Sequence, residues 1–209
     1  MSFTNHDQIF AEAFNNANNL SIKLPDIDIN SIIQANYSVN PPSFSMTKTQ
    51  LWDMECRKAA APDKYIPNQV RSAEKFPSLV DAHFEYFTRI SEQKTWKDPS
   101  TTVMVIENVK IDHKNQVVTF IGAEKFTTPD ERHIVAGSGQ PLFNVEHGVV
   151  GDEENRPFNT WRITLLAMGE DDPRKWKVLT AMTENKYLPE YVEIYIREVL
   201  GVSLLRRED

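Results

Sequence analysis

Three ionisable residues interrupt runs of apolar residues at positions where their side chains could transfer protons. His147 alternates with valines on a predicted strand, Glu107 stands in the odd-numbered apolar series of 103–111, and His83 lies on the apolar stripe of a predicted helix. An imidazole titrates near neutrality, and a carboxylate removed from water has a raised pKa, so both suit general acid or base catalysis. We predict that these residues are catalytic, with His147 as the main acid or base.

Each of these residues also has a structural explanation. His83 would then be a buried histidine bonded to backbone carbonyls, and His147 would lie at the surface of an edge strand. A bulge at Gly148 would turn Glu146 inward in place of His147, and a register shift would leave Glu107 in water. A metal site built from His83, His147 and Glu107 has no recognisable ligand spacing, so we expect no metal.

Aromatic residues near the predicted helices are candidates for contacting a substrate. Tyr65 offers a hydroxyl that could orient a substrate oxygen, while Trp52 and Phe87 offer apolar surface. Tryptophan is also common in cores and interfaces, which leaves a structural role open. Asp53, whose neighbour Glu55 could also reach a cavity mouth, is expected to pair with Arg57 one helical turn later.

Arg162 is a candidate charge partner within a predicted strand. If it points inward, it should pair with Glu107 or Glu184, because an unpaired buried charge is strongly disfavoured. The opposite face of the same strand would then point outward and, being apolar, would suit a homodimer interface. That face is formed by Trp161, Ile163 and Leu165.

Other chemistries lack their sequence signatures. The chain has no G-x-S-x-G, no Walker A motif and no G-x-G-x-x-G, so we expect no cofactor and no serine nucleophile. Cys56, the only cysteine, sits in a predicted helix and cannot form an intrachain disulfide.

Composition limits the class of protein. The chain has 209 residues, a formal net charge of −7 and 40% hydrophobic residues, which predicts one main globular domain. The negative charge argues against nucleic acid as a partner. Without a secretory signal or an apolar run of membrane length, we expect a cytoplasmic protein with no membrane contact. We divide the chain into an arm at 1–45, a domain at 46–200 and a tail at 201–209.

Hydrophobic periodicity predicts helices first and strands afterwards. The strongest helix has a capping-box pattern at Thr47 and Gln50 and ends before Pro62. The predicted helices span 7–17, 47–61, 77–93 and 189–200, and residues 66–73 are predicted to form a short helix or a turn. The predicted strands span 103–111, 117–124, 133–136, 143–150, 158–168 and 176–184. This order indicates an α+β fold: a curved antiparallel sheet with the N-terminal helices packed on its concave face and a C-terminal helix.

This order of elements resembles the nuclear-transport-factor-like cone fold over residues 47–185. The similar segments are WDMECRKAAAPDKYIP, VMVIENVKIDHKNQVVTFIG and TWRITLLAMGEDDPRKWKVLTAMT. The resemblance implies an apolar cavity, as in the SnoaL-like cyclases and the scytalone dehydratase-like and ketosteroid isomerase-like enzymes. It implies a cofactor-independent cyclase, dehydratase or isomerase that acts on a small or medium apolar molecule. The alternatives are a non-catalytic binding or homodimeric assembly protein of this fold, or a lipocalin-like or plant-allergen-like carrier, which needs more strands than the pattern provides.

Overall fold

The computed structural model describes residues 5–81, 83–95, 98–154, 156–167 and 186–208. The helices of this part are α1 (His6–Phe14), α2 (Ile29–Asn36), α3 (Lys48–Ala60), α4 (Pro62–Tyr65) and α5 (Glu190–Ile194), and α5 continues as a π-helical turn over Tyr195–Val199. The strands are β1 (Leu20–Lys23), β2 (Ile27–Asp28), β3 (Tyr37–Asn40), β4 (Val70–Val80), β5 (Phe84–Lys94), β6 (Thr102–Asp112), β7 (Val117–Gly122), β8 (Lys125–Thr127), β9 (His133–Val135), β10 (Phe143–Gly151), β11 (Pro157–Leu165) and β12 (Ser203–Arg206).

Eight of the described strands form one antiparallel sheet. The order across it is β1-β11-β10-β7-β6-β5-β4, and β2 also pairs with β11. Strands β3 and β12 form a separate two-stranded ribbon, as do β8 and β9. The hairpin predicted at 103–124 is confirmed as β6 and β7, and three further predicted strands are confirmed as β9, β10 and β11. The strand predicted at 176–184 lies outside the described residues.

Helix α3 forms as its sequence predicts. Thr47 is the N-cap, and its hydroxyl accepts a hydrogen bond from the backbone N–H of Gln50, whose side chain accepts one from the N-cap backbone in return. This capping box satisfies two donors that a helix N-terminus leaves free. Asp53 and Arg57 form the predicted ion pair at 2.7 Å. The short helix at 7–17 and the C-terminal helix at 189–200 are likewise confirmed, as α1 and as α5 with its π-helical turn.

The helix predicted at 77–93 is wrong, because β4 and β5 form a hairpin there. Of the segment predicted as helical or turn at 66–73, residues 66–69 form a turn and residues 70–73 belong to β4. Strand β5 pairs along its whole length with β6 and is covered on both faces, so residues 86–91 are all buried. Its apolar residues Phe84, Phe87 and Ile90 recur every three residues, which also fits a helical period. The side chain of Asp81 accepts hydrogen bonds from the backbone N–H groups of His83 and Phe84, which stabilises the turn. Pro77 does not start a helix but precedes a register shift in edge strand β4.

The two faces of the sheet are covered by different elements. Helices α3 and α5 lie over the inner face, which carries Val109, Val145 and Ile163. Helix α1 packs on the outer face, where Lys110 approaches Asp7 at 2.6 Å. The ribbon of β8 and β9 also packs there, against the smaller core cluster of Ile90, Ile106 and Ala123. No helix in the described part of the chain has the length and apolar character needed to cross a membrane.

The segments at the two ends of the chain are integrated into this architecture. Within 1–45, β1 and β2 join the main sheet beside β11. Within 201–209, β12 pairs with β3, and Leu204 is buried. Both segments therefore contribute backbone hydrogen bonds and core side chains to the fold.

Candidate active site

A cavity of about 830 Å³ lies between the inner face of the sheet and the helices. This volume is typical of sites for drug-sized molecules. Its apolar walls are formed by Ile66, Phe120, Phe143, Val145, Trp161 and Ile163. Such a wall favours a ligand that is itself largely apolar.

Helix α3 carries two buried charges to the edge of this cavity. Glu55 and Lys58 lie one helical turn apart, with side chains 0% and 4% exposed, and Lys58 Nζ is 2.8 Å from Glu55 Oε1. Both residues lie on the buried side of α3 with Leu51 and Met54. The capping box at the start of α3 contributes to holding both side chains at this depth.

His147 of β10 completes a cluster with these two residues. Its Nδ1 atom lies 2.7 Å from Lys58 Nζ and 3.1 Å from Glu55 Oε2. Its ring stacks on Trp161 with centroids 4.1 Å apart. Both of these hydrogen-bond contacts use Nδ1, and within the described residues Nε2 has no partner. Nε2 is therefore the atom through which His147 can form a hydrogen bond with a molecule in the cavity.

Two neutral residues hold the cluster in place. Asn159 of β11 donates from its side-chain nitrogen to Glu55 Oε1 at 2.9 Å and accepts the hydroxyl of Tyr191 at 2.7 Å. The ring of Tyr191, on α5, lies 3.8 Å from Lys58 Nζ, as in a cation–π contact. Strands β10 and β11 and helices α3 and α5 thus all fix this one site.

Burial and neighbouring charges set the protonation of the cluster. Burial, together with the charge of Lys58, lowers the pKa of His147 to about 4. Burial also lowers the pKa of Lys58 to about 8, against the opposing effect of Glu55. Burial acts to raise the pKa of Glu55, but Lys58 and His147 outweigh it and bring that pKa to about 2. At neutral pH the cluster therefore contains a carboxylate, an ammonium group and a neutral imidazole.

A second buried ion pair lines the same cavity. Arg89 Nε lies 3.0 Å from Glu107 Oε2, and Arg89 also donates to the carbonyl oxygen of Ala59 at 2.8 Å. The guanidinium lies 4.8 Å from the ring centroid of Phe120, which also packs against His147. Each charge in this pair is compensated, so the pair adds no net charge to the cavity.

The structure brings together two of the three predicted catalytic residues. His147 and Glu107 both line the cavity, since β10 runs regularly through Gly148 and Glu107 stays in register in β6. The prediction that His83 faces the sheet from a helix is wrong, because His83 is exposed in the turn between β4 and β5.

The residues predicted to contact a substrate do not line the cavity. Arg162, a candidate charge partner if it pointed inward, lies on the outer face instead and pairs there with Glu146 at 2.6 Å. Tyr65, Trp52 and Phe87 are buried but are not among the described residues that line the cavity.

The face proposed for a homodimer points inward. Trp161 and Ile163 line the cavity, and Leu165 is fully buried in the core. The homodimer prediction therefore loses the surface on which it was based.

Sequence reasoning missed Lys58, Asn159 and Tyr191 of the cluster around His147, and it named Glu55 only as a residue that could reach a cavity mouth. Glu55 and Lys58 follow Leu51 by four and seven residues, a spacing that places them on its face of the helix. That signal was present, but charged residues on a helix are usually solvated. Nothing local indicates Asn159 or Tyr191, whose partners lie far away in the chain. No group of three metal-ligating side chains occurs in the part of the chain that the structure describes.

Comparison with solved structures identifies the fold. Zhui aromatase/cyclase from Streptomyces sp. R1128 is similar over 87% of this chain and 96% of its own, with 6% identity and a TM-score of 0.54. Ara h 8.0201 is 8% identical over 84% of this chain and 97% of its own, with a TM-score of 0.48. Major latex-like protein 151 from Panax ginseng is 10% identical over 88% of this chain and 94% of its own, with a TM-score of 0.43. No protein-family profile and no curated protein matches the sequence.

The similarity to Zhui aromatase/cyclase corrects the fold expected from the sequence. The chain has the Bet v1-like helix-grip fold, an α+β fold with a large antiparallel sheet and a C-terminal helix, and the nuclear-transport-factor-like resemblance is wrong. The carrier alternative required more strands than the sequence pattern provided. The hairpin at 70–94 supplies two of them, in place of the helix predicted at 77–93.

Proposed function

We propose that this protein binds a small, largely apolar molecule in its cavity and performs acid/base chemistry on it through His147, without a cofactor. The observation that carries the proposal is the arrangement of His147. Its Nδ1 is held by Lys58 and Glu55, while Nε2, without a partner among the described residues, remains for a ligand. The reaction would be of the cyclase, dehydratase or isomerase type. The similarity in fold to an aromatase/cyclase is in keeping with this class.

Charge balance in the buried part of the cavity favours a neutral ligand. Asp26 and Asp28, which also line the cavity, are less buried, and Asp28 pairs with Arg156. The negative charges of Glu55 and Glu107 are matched by Lys58 and Arg89, and His147 is neutral because its pKa is about 4. A charged ligand would lose its hydration on entering, and none of these residues offers an unpaired opposite charge to compensate that cost. A neutral ligand with one polar group would lose little hydration free energy on entering.

The cluster has groups for moving a proton at neutral pH. A neutral imidazole can donate or accept at Nε2, depending on its tautomer. Lys58, with a pKa of about 8, is an ammonium group close to its titration midpoint. A pKa near the working pH is the condition for efficient general acid or base catalysis.

A second candidate function is ligand binding without catalysis. Every charged group of the two buried pairs has a protein partner, so the cluster is satisfied without any reaction. The cluster would then only orient a ligand.

Binding can be tested with N-phenyl-1-naphthylamine, a neutral apolar dye that fluoresces out of water. We expect Val145→Trp, which fills the cavity from β10, to abolish most of the fluorescence gain. The control is Val150→Trp on the same strand, where the side chain is 44% exposed. Equal binding by both variants would contradict the cavity as the binding site.

Catalysis can be tested with 2-acetonaphthone, a neutral apolar ketone. Acid/base catalysis of enolisation accelerates exchange of its methyl protons with D2O, which NMR measures. We expect His147→Phe to reduce the acceleration by about a hundredfold, while His83→Phe in the exposed turn leaves it unchanged. If the natural protein binds the ketone but does not accelerate exchange, the catalytic proposal fails and the binding function remains.

A further inference from the structure

The Nδ1 atom of His147 faces two groups that make opposite demands on it. Lys58 Nζ lies 2.7 Å away, and Glu55 Oε2 lies 3.1 Å away. A carboxylate only accepts hydrogen bonds, so it calls for a proton on Nδ1. An ammonium group only donates, so it calls for a bare Nδ1. Which neighbour prevails decides where the ring proton of a neutral His147 resides.

We propose that Lys58 is a positioning residue that keeps the proton of His147 on Nε2, so that the cavity selects apolar ligands carrying a carbonyl oxygen. A proton on Nδ1 would point one donor at another across 2.7 Å, whereas a bare Nδ1 accepts a short charge-assisted hydrogen bond. Nε2 then presents an N–H group to the cavity. The statement about ligands rests on the proposed function, while the statement about the tautomer does not.

The contacts around Lys58 are consistent with its charged form. Glu55 on α3 accepts a hydrogen bond from it, and Tyr191 on α5 presents its ring at 3.8 Å. Arg89 on β5 opposes the charge from a greater distance, and burial opposes it more strongly. The resulting pKa of about 8 leaves Lys58 mostly charged at pH 7.

The ring also links Lys58 to the ligand as a proton path. When Nε2 gives its proton to a carbonyl oxygen, a lone pair of that oxygen forms the new O–H bond, the electron pair of the broken N–H bond stays on the ring, and the ligand takes up the positive charge that Lys58 gives up. Nδ1 can then take a proton from Lys58. The ring ends neutral, with its proton on Nδ1 and within reach of Glu55, and Lys58 ends as an amine. One proton has moved from Lys58 to the ligand.

Loss of the lysine charge should reverse the tautomer. A neutral amine no longer requires a bare Nδ1, so Nδ1 can carry the proton and donate it to Glu55 Oε2. Nε2 then becomes an acceptor and no longer donates to a carbonyl. This change should occur as the pH rises through the pKa of Lys58.

The tautomer can be read directly in the ligand-free protein. Long-range ¹H–¹⁵N correlation spectra of ¹⁵N-histidine-labelled protein distinguish a protonated from a bare ring nitrogen. At pH 7 we expect bare Nδ1 and protonated Nε2 for His147 in the natural protein, and the reverse in Lys58→Met. Lys64→Met, at an exposed position on α4, is the matched control and should resemble the natural protein.

Two results would overturn the role of Lys58. One is a protonated Nδ1 in the natural protein at pH 7. The other is an unchanged tautomer in Lys58→Met. If that variant does not fold, a titration of the natural protein from pH 7 to about pH 9.5 replaces it, because that interval spans the pKa of about 8. A tautomer that stays the same across this range would then contradict the proposal.

The ligand class is tested by two molecules of almost equal shape. The ketone 2-acetonaphthone and the hydrocarbon 2-isopropenylnaphthalene differ by a carbonyl oxygen in place of a methylene group. One hydrogen bond should give the natural protein a roughly fivefold preference for the ketone, and Lys58→Met should lose it. Equal binding of both molecules by the natural protein would overturn the ligand class alone. If neither molecule binds, the proposed function fails, while the NMR result still decides the role of Lys58.

Discussion

His147 resists protonation in the folded protein. Burial and the charge of Lys58 lower its pKa to about 4, while the unfolded chain retains the ordinary value of 6.5. Between pH 6.5 and pH 4 the unfolded chain therefore binds a proton that the folded chain does not. The stabilisation that comes from keeping His147 neutral should be fully present above pH 6.5. The free energy of unfolding should then decrease as the pH falls from 6.5 towards 4. Glu55, with a pKa of about 2, extends this loss below pH 4.5.

Replacing His147 with phenylalanine should remove this loss. The ring can still stack on Trp161, but no group with a lowered pKa remains at the position. We expect the decrease in unfolding free energy between pH 6.5 and pH 4 to shrink by about 3 kcal/mol, measured by urea unfolding across that range. The matched control is His83→Phe, because that side chain lies outside the cavity. An unchanged pH profile for His147→Phe would show that His147 is not held neutral.

Sequence reasoning reached part of the candidate site. Alternation along β10 and β6 predicts that His147 and Glu107 share a face with inward apolar residues, and this holds because both strands are regular. It could not reach the pairing of His147 with Lys58, since 89 residues separate them. Arg162 shows the same limit: alternation revealed that it shares a face with Thr160 and Thr164, but not which side of the sheet that face covers.

Strand β12 fastens the C-terminal end of the chain to the rest of the fold. It pairs with β3, and Arg206 bonds to Glu193 at 2.7 Å, next to the hydroxyl of Tyr37. Its neighbouring residues differ sharply in burial: Leu204 is 1% exposed and Leu205 is 65% exposed. The strand therefore offers an internal comparison of one buried and one exposed leucine.

Substitution of these two leucines should have very different effects. We expect Leu204→Ala to lower the free energy of unfolding by about 2–5 kcal/mol, because it leaves a hole beside the C-terminal helix. Leu205→Ala should change it by less than about 0.5 kcal/mol. Chemical denaturation of the two variants measures both values. Similar values for the two would mean that β12 does not dock as described.

The elements themselves were predictable where one pattern dominated. A capping box at Thr47 and Gln50 and a proline at 62 mark the limits of α3 on both sides, so its bounds followed from the sequence. Residues 77–93 had no comparable marker. Their apolar residues satisfy a helical stripe and a doubly covered strand equally well, and pairing with β6 decided between them.

The whole molecule has two separate layers on its sheet. Helices α3 and α5 enclose the cavity on the inner face, while α1 covers the outer face through Phe10, which is 1% exposed. The guanidinium of Arg162 lies 5.0 Å from the Phe10 ring on that outer side. Stability from α1 and binding in the cavity should therefore be separable properties.

Phe10→Ala tests this separation. Loss of a buried aromatic side chain should reduce the free energy of unfolding by about 3–5 kcal/mol. Affinity for N-phenyl-1-naphthylamine should stay the same under conditions where the variant is folded, because no cavity wall has changed. Gln8→Ala, at an exposed position of the same helix, is the control for α1. A large loss of dye affinity in folded Phe10→Ala would show that the two layers are coupled.

The pairing of β1 with β11 bears on how the protein reaches its native state. Ser21 and Thr164 bond across these strands although 143 residues separate them, and Tyr37 bonds to Glu193 across 156. Contacts between such distant residues slow folding, because long loops must close before the contacts can form. During synthesis, the early strands β1 and β3 must wait for β11 and β12, which leave the ribosome much later. Until then, the edge of β1 stays open to other chains, and this interval is when aggregation is most easily initiated.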